Sequence, residues 1–141
     1  KHKNRSHYLN DLIQKIILAK YSNKNHITLF GDGSPLRQLM FAGDLARVIK
    51  RYIYEKHEGS FNVAPNINLS VNEIALIALK ACDADYMNIK YDSRKPNGQV
   101  RKDVDTNALT EAMPGIEFIS LANGIKNIYD IQTSWLYKHA E

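Results

Sequence analysis

Between Tyr8 and Phe41 the spacing of apolar residues changes period twice, and no other feature restricts the fold as much. Leu9, Leu12, Ile13, Ile16 and Ile17 recur at helical spacing, with Ser6 as a candidate cap and Asn10, Asp11, Gln14 and Lys15 opposite, so residues 7–21 are expected to form an amphipathic helix. After the polar turn Ser22-Asn23-Lys24-Asn25, the run His26-Ile27-Thr28-Leu29-Phe30 alternates and is β-branched, which predicts a strand. Gly31-Asp32-Gly33-Ser34-Pro35 stops that strand.

The alternation continues to the end of the chain. Arg37 to Phe41 reads as extended, and Asp44 is placed to cap a helix with the stripe Leu45, Val48, Ile49, Tyr52 and Ile53, ending near His57-Glu58-Gly59. Residues 60–64 are expected as a short strand stopped by Pro65. Ser70-Val71-Asn72-Glu73 has the form of a capping box, opening a helix whose inner face is Val71, Ile74, Ile77, Ala78 and Ala81. Residues 87–91 read as a strand, 92–99 as a loop around Lys95-Pro96-Asn97-Gly98, 100–105 as extended and 106–113 as a short helix stopped at Pro114-Gly115. A last helix over 120–139 should bury Leu121, Ile125, Ile128, Tyr129, Trp135 and Leu136. Short strands alternating with amphipathic helices define the α/β class.

Composition narrows the function. A 141-residue chain with 44% hydrophobic and 24% charged residues fits one globular domain with its own core. The single cysteine, Cys82, excludes an internal disulfide and lies on the apolar side of a helix, where it reads as a buried small hydrophobe. No apolar run approaches the ~20 residues of a membrane span, and no signal core follows the basic start Lys1-His2-Lys3-Asn4-Arg5, so no membrane association and a cytoplasmic location are expected. The chain starts without an initiating methionine, as an excised segment would. A net charge of +4 suits nucleic acid or a phosphate-bearing small ligand. The basic residues are scattered and accompanied by no zinc-finger, RNP or basic-zipper pattern, which favours a diphosphate over nucleic acid.

Three blocks, in order, resemble the GDP-L-fucose synthases of the extended short-chain dehydrogenase/reductase family. Ser6-His7 and the helix through Lys15 resemble that family's Ser-His-Val-Ile-Pro segment. Leu29-Phe30-Gly31-Asp32-Gly33-Ser34-Pro35-Leu36-Arg37-Gln38 resembles its Val-Trp-Gly-x-Gly-x-Pro-x-Arg-Glu block, and Asp44-Leu45-Ala46 the Asp-Leu-Ala that follows. Residues 93–102, Ser-Arg-Lys-Pro-Asn-Gly-Gln-Val-Arg-Lys, resemble Ser-Lys-Pro-Asp-Gly-x-x-Arg-Lys with an offset of one at the start. The second block is shared by many nucleotide-sugar epimerases and dehydratases; the third is more specific to fucose synthases. Phe30 stands for a common tryptophan, Lys15 for arginine, Gln38 for glutamate, and Phe41-Ala42-Gly43 for a His-Val-Asp stretch.

The resemblance implies the C-terminal substrate-binding portion of an extended short-chain dehydrogenase/reductase, residues 1–141 forming one such unit with the N-terminal Rossmann cofactor domain absent. Its parent would use NADPH to epimerise and reduce GDP-4-keto-6-deoxymannose, as a homodimer. His7 would be the acid of the epimerisation, lying close to the cofactor, since a histidine titrates near neutrality. No metal is implied. The sequence contains no Gly-x-x-Gly-x-x-Gly loop, and its one helical Tyr-x-x-x-Lys pair, Tyr52 and Lys56, lies beyond the substrate loop, so no turnover is expected of this chain alone and no bound cofactor. Helix 44–56 and strand 60–64 resemble elements that in relatives pack on the cofactor-binding sheet.

Physical chemistry supports part of this independently. Arg37, presented by a glycine- and proline-shaped turn, can offer a bidentate fork to phosphate oxygens, with Lys15 and Lys102 as point charges around the same diphosphate and Phe30 stacking on guanine. Each residue also has a plainer reading: Arg37 and Lys102 as solvated charges beside turns, Lys15 on a polar helix face, Phe30 as core. The sequence leaves both open, along with a GDP-sugar, another nucleotide sugar, or a basic nucleic-acid module as ligand class.

Overall fold

The computed structural model describes the backbone of residues 8–138 and side chains through Trp135; the expectations for His7, Leu136 and the start of the first helix at residue 7 lie outside the described residues. Ten elements follow in order: α1 (Tyr8–Tyr21), β1 (His26–Phe30), β2 (Leu36–Arg37), α2 (Ala42–Tyr54), β3 (Leu69–Ser70), α3 (Val71–Ala81), β4 (Asn88–Asp92), β5 (Arg101–Lys102), α4 (Asn107–Ala112) and α5 (Leu121–Lys138). The class is mixed α/β, as the alternation predicts.

β1 and β4 form a parallel pair in the register His26↔Asn88 to Phe30↔Asp92, an arrangement that requires a crossover, here the run through α2 and α3. The alternation in β1 sorts its side chains: Ile27 and Leu29 are buried, whereas Thr28 and Phe30 face outward. Against this pair pack α1, α3 and α5, whose Leu12, Ile13, Ile16, Ile74, Ala78 and Ile125 are fully buried with Cys82 among them. Burial pushes the Cys82 thiol up to about 11, so it behaves as the small hydrophobe its setting suggests. α3 begins at the expected capping box: Ser70 accepts from the Glu73 backbone N–H and the glutamate reaches back to the Ser70 N–H.

A second, three-stranded sheet has the order β3-β2-β5, with β2 antiparallel to β3 and parallel to β5. Its ladders are short, so the extended stretches expected at 37–41 and 100–105 contract to Leu36–Arg37 and Arg101–Lys102. A smaller apolar cluster of Val48, Leu109 and Met113 joins α2 to α4.

Four expectations are corrected. Asp44 does not cap α2: the helix starts at Ala42 with Phe41 at the cap position, and Asp44, buried in its first turn, pairs with Arg47 and accepts the Ile119 N–H at 3.0 Å. That carboxylate ties α2 to the segment leading into α5. Residues 60–64 form no strand, because an extended segment becomes one only when a neighbour takes its backbone bonds; instead the Asn62 side chain donates to the Asp105 carbonyl. The stripe of α2 is buried only at Val48, with Ile49 and Ile53 exposed at 49% and 69%. Trp135, expected in the core, is exposed.

Candidate functional site

The break after β1 is a loop fixed from three sides. Gly31 and Gly33 adopt φ of 79° and 81°, the left-handed region that glycine enters without cost. Asp32 accepts from both the backbone N–H (2.9 Å) and the hydroxyl (2.7 Å) of Ser34, and those bonds hold its carboxyl down at about 2, assisted by the side chain of Asn97. The Asp32 N–H in turn donates to Asn97 Oδ1 at 2.7 Å. Backbone bonds from Val71 to Pro35, from Asn72 to Gly33 and from Leu36 to Val100 seat the loop between the start of α3 and the strand β5.

A glycine can also leave room for a ligand to approach the backbone closely, but here the structure assigns that space to the chain itself. A Cβ on Gly31 would overlap Asn97 Oδ1, and one on Gly33 would fall 2.7 Å from the Tyr91 ring. Tyr91, whose hydroxyl donates to Asn72 Oδ1 at 2.6 Å, therefore packs directly on the loop backbone. Burial, and then the charge of Asp32, raises the Tyr91 phenol above its ordinary pKa. The glycines admit two side chains of the same molecule.

Arg37, on β2, uses Nη1 to donate to the carbonyls of Leu36 (2.7 Å) and Gln99 (2.8 Å), which orients the planar guanidinium from its own strand and from the loop before β5. Its strand register pairs it with Lys102, so the pleat sends both side chains to the same face. Tyr8 completes this corner. Its hydroxyl donates to the Val71 carbonyl at 3.0 Å, and burial drives its phenol well above the ordinary value, with Tyr91 adding to the shift and Arg37 opposing it.

Phe30 is exposed at 61%, which removes its reading as core. Lys15 Nζ lies 4.9 Å from the centre of its ring and Lys95 Nζ 5.8 Å, so the aromatic face carries two ammonium groups. Lys15 is also paired with Asp11 one turn back at 2.9 Å. Of the five sequence-predicted site residues, His7 lies outside the described residues and the other four form two pairs, Lys15 with Phe30 and Arg37 with Lys102. The segment between β4 and β5 links them, Lys95 reaching Phe30, Asn97 the glycine loop and Gln99 the arginine. Sequence reasoning missed Tyr8, Lys95, Asn97 and the Gln99 carbonyl. Lys95 and Asn97 stand inside the Lys-Pro-Asn-Gly block that marked the segment, but their contacts cross more than sixty residues, as in the 65-residue separation of Asp32 and Asn97.

Two mainly apolar cavities do not compete with this face. An apolar cavity of about 260 Å³ lies behind Arg37, lined by Leu39, Ile67, Leu69, Ile74 and Phe118, and is too small for a nucleotide sugar. A groove of about 450 Å³ between α1 and α5, lined by Ile17, Leu18, Ile131 and Trp135 with Gln14 and Gln132, has no cation among its described lining residues. A nicotinamide dinucleotide finds no seat in the glycine loop either: the chain after Gly33 enters a strand instead of a helix N-terminus, and the Cβ spaces are filled.

Comparisons with known proteins bear on the family and the fold. The family model described as NAD dependent epimerase/dehydratase family matches residues 1–64. A GDP-L-fucose synthase of Azorhizobium caulinodans is 32% identical over 127 residues, 89% of this chain and 40% of that protein. A GDP-L-colitose synthase of Yersinia pseudotuberculosis is 31% identical over 110 residues, 77% of this chain and 35% of that protein. The chain therefore spans about two fifths of the length of the curated relatives it matches. Among solved structures, a GDP-L-fucose synthetase from Naegleria fowleri bound to NADP superposes with a TM-score of 0.82 at 22% identity, covering 95% of this chain and 42% of that one. Family model, sequence relatives and fold converge on an extended short-chain dehydrogenase/reductase protein similar to the GDP-L-fucose synthases.

Proposed function

We propose that this chain supplies the sugar-nucleotide-binding face of an enzyme that converts GDP-4-keto-6-deoxymannose to GDP-L-fucose with NADPH. The observation that carries the reading is the pairing of Arg37 with Lys102 on adjacent strands, joined through the 95–99 segment to an exposed Phe30 ring that the Lys15 and Lys95 ammonium groups approach. An arginine with one edge fixed by two carbonyls keeps Nε and Nη2 for phosphate oxygens, and the lysines add charge without demanding geometry. The exposed Phe30 ring supplies a flat apolar face on which one ring of a purine can stack.

In this reading the cofactor is held by a Rossmann domain outside these 141 residues. The share of the relatives that the chain spans supports this, and so does the exposed apolar stripe of α2. His7 is assigned the role of proton donor on its sequence match alone. NADPH, when bound by that other domain, supplies the hydride; the residues described here bind and orient the nucleotide. A homodimer of the full enzyme belongs to the same proposal.

Calorimetric titration of the chain with GDP, UDP and dTDP tests the reading. GDP is expected to bind tightest, and Arg37→Ala to weaken it about 10- to 100-fold, the range for loss of a hydrogen bond to a charged group. Tighter binding of UDP or dTDP would transfer the site to another nucleotide sugar. Binding of none of the three, or binding indifferent to Arg37→Ala, would defeat it. A complex with oligonucleotides that survives Arg37→Ala and falls steeply with salt would instead establish the nucleic-acid reading.

A further inference from the structure

The space beside Gly31 is filled by Asn97, and that contact carries an inference about how the site is held. Asn97 lies in a loop distant in sequence, yet its Oδ1 takes the Asp32 N–H at 2.7 Å and rests where a Cβ of any other residue at 31 would stand. The two segments are joined again further along, where residues 36 and 37 meet residues 99 and 100. Gln99 presents its carbonyl to Arg37 Nη1 at 2.8 Å, and Val100 presents its carbonyl to the Leu36 N–H at 2.8 Å. Gly98, at φ 74°, makes the turn between these anchors, with space for a Cβ 3.7 Å from Arg37 Nη2.

We propose that Asn97 is a positioning residue for the nucleotide site: its side-chain amide fastens the 95–99 segment to the glycine loop, and the fastened segment aims Arg37 through the Gln99 carbonyl. The proposal rests on the nucleotide-binding reading above for its ligand, but the clamp itself stands on contacts that need none. The chemistry requires an amide here. Asp32 is ionised and already shared between the N–H and hydroxyl of Ser34, so a neutral neighbour with both an acceptor and a donor fits beside it. A carboxylate at 97 would face the Asp32 carboxylate, and the pair would separate. An aspartate at 97, the residue of the resembling fucose synthase block, becomes acceptable once residue 32 is uncharged.

Two measurements test this. Amide hydrogen exchange reads the clamp without ligand: the Asp32 N–H should exchange about tenfold faster in Asn97→Ala than in the unaltered chain, since that bond is lost. Calorimetry with GDP near neutral pH reads the positioning. Asn97→Asp should weaken binding about tenfold, and Asp32→Asn combined with Asn97→Asp should bring affinity back to within about threefold, which corresponds to under ~1 kcal/mol of residual loss. A merely structural role would lower the melting temperature of the single variant without this recovery of affinity. Unchanged exchange at Asp32, unchanged GDP affinity in Asn97→Asp, or a double variant as weak as the single one would each overturn the proposal. If the unaltered chain binds no GDP, the nucleotide reading fails, and accelerated exchange then supports a clamp on the loop but overturns its role in aiming Arg37 at a nucleotide.

Discussion

α3 and α2 are both amphipathic helices with an apolar stripe, and they end in opposite states. On α3, Ile74, Ala75 and Ala78 are fully buried against α1, α5 and the parallel pair. α2 buries Val48 and leaves Leu45, Ile49 and Ile53 exposed, although its stripe is as clear in sequence. The difference teaches that a period of 3.6 announces a face that needs covering and says nothing about what covers it. α3 finds its cover inside the chain, in α1 and α5. α2 is held by the small apolar cluster around Val48, Leu109 and Met113 together with polar ties, Asp44 to Ile119, Arg47 to Glu117 and Arg51 to Glu55 with His57 alongside. Such exposed or partly exposed pairs stabilise weakly compared with a packed core.

This contrast can be broken by experiment. Ile74→Ala, which opens a cavity in the larger cluster, should cost about 2–5 kcal/mol in denaturant unfolding; a loss under ~1 kcal/mol would mean that α3 is no better packed than α2. Ile53→Ser removes an apolar side chain already 69% exposed, and its cost in this chain should stay within about 0.5 kcal/mol. A loss as large as that of Ile74→Ala would show the α2 stripe to be covered in solution, and sedimentation of the same variant would reveal whether a second copy covers it. The smallest effect concerns Glu55. Its bonds to Arg51, then to His57, hold its carboxyl below the ordinary value of about 4.3, so what it adds to stability is present above that pH and fades as acid brings the solution through the lowered value. A carboxyl chemical-shift titration with a midpoint at or above the ordinary value would remove those pairs from the account.

Much of the first region was readable before any coordinates. The capping box at Ser70, the alternation in 26–30 and the stripes of α1 and α3 are local patterns that tertiary contacts then satisfied. Where a local pattern had two solutions, the contacts chose. An aspartate three residues into a helix has the same sequence signature as a cap, yet Asp44 turned inward because Ile119 offers an N–H there. A β-prone segment at 60–64 stayed irregular for want of a neighbour. The site divides in the same way: the motif named Lys15, Phe30, Arg37 and Lys102, but the contacts that group them run through Lys95, Asn97 and Gln99.

The order of residues by itself determined the α/β alternation, the glycine break after β1 and the basic and aromatic groups that bear on a phosphate ligand, because each depends on spacing within a turn or a strand. Only the tertiary structure decided that Phe30 faces outward, that the glycines receive Asn97 and Tyr91, and that Arg37 is held by a carbonyl 62 residues away. Those outcomes depend on which distant segments share a sheet, and backbone hydrogen bonding between strands carries no signature in the side chains it brings together.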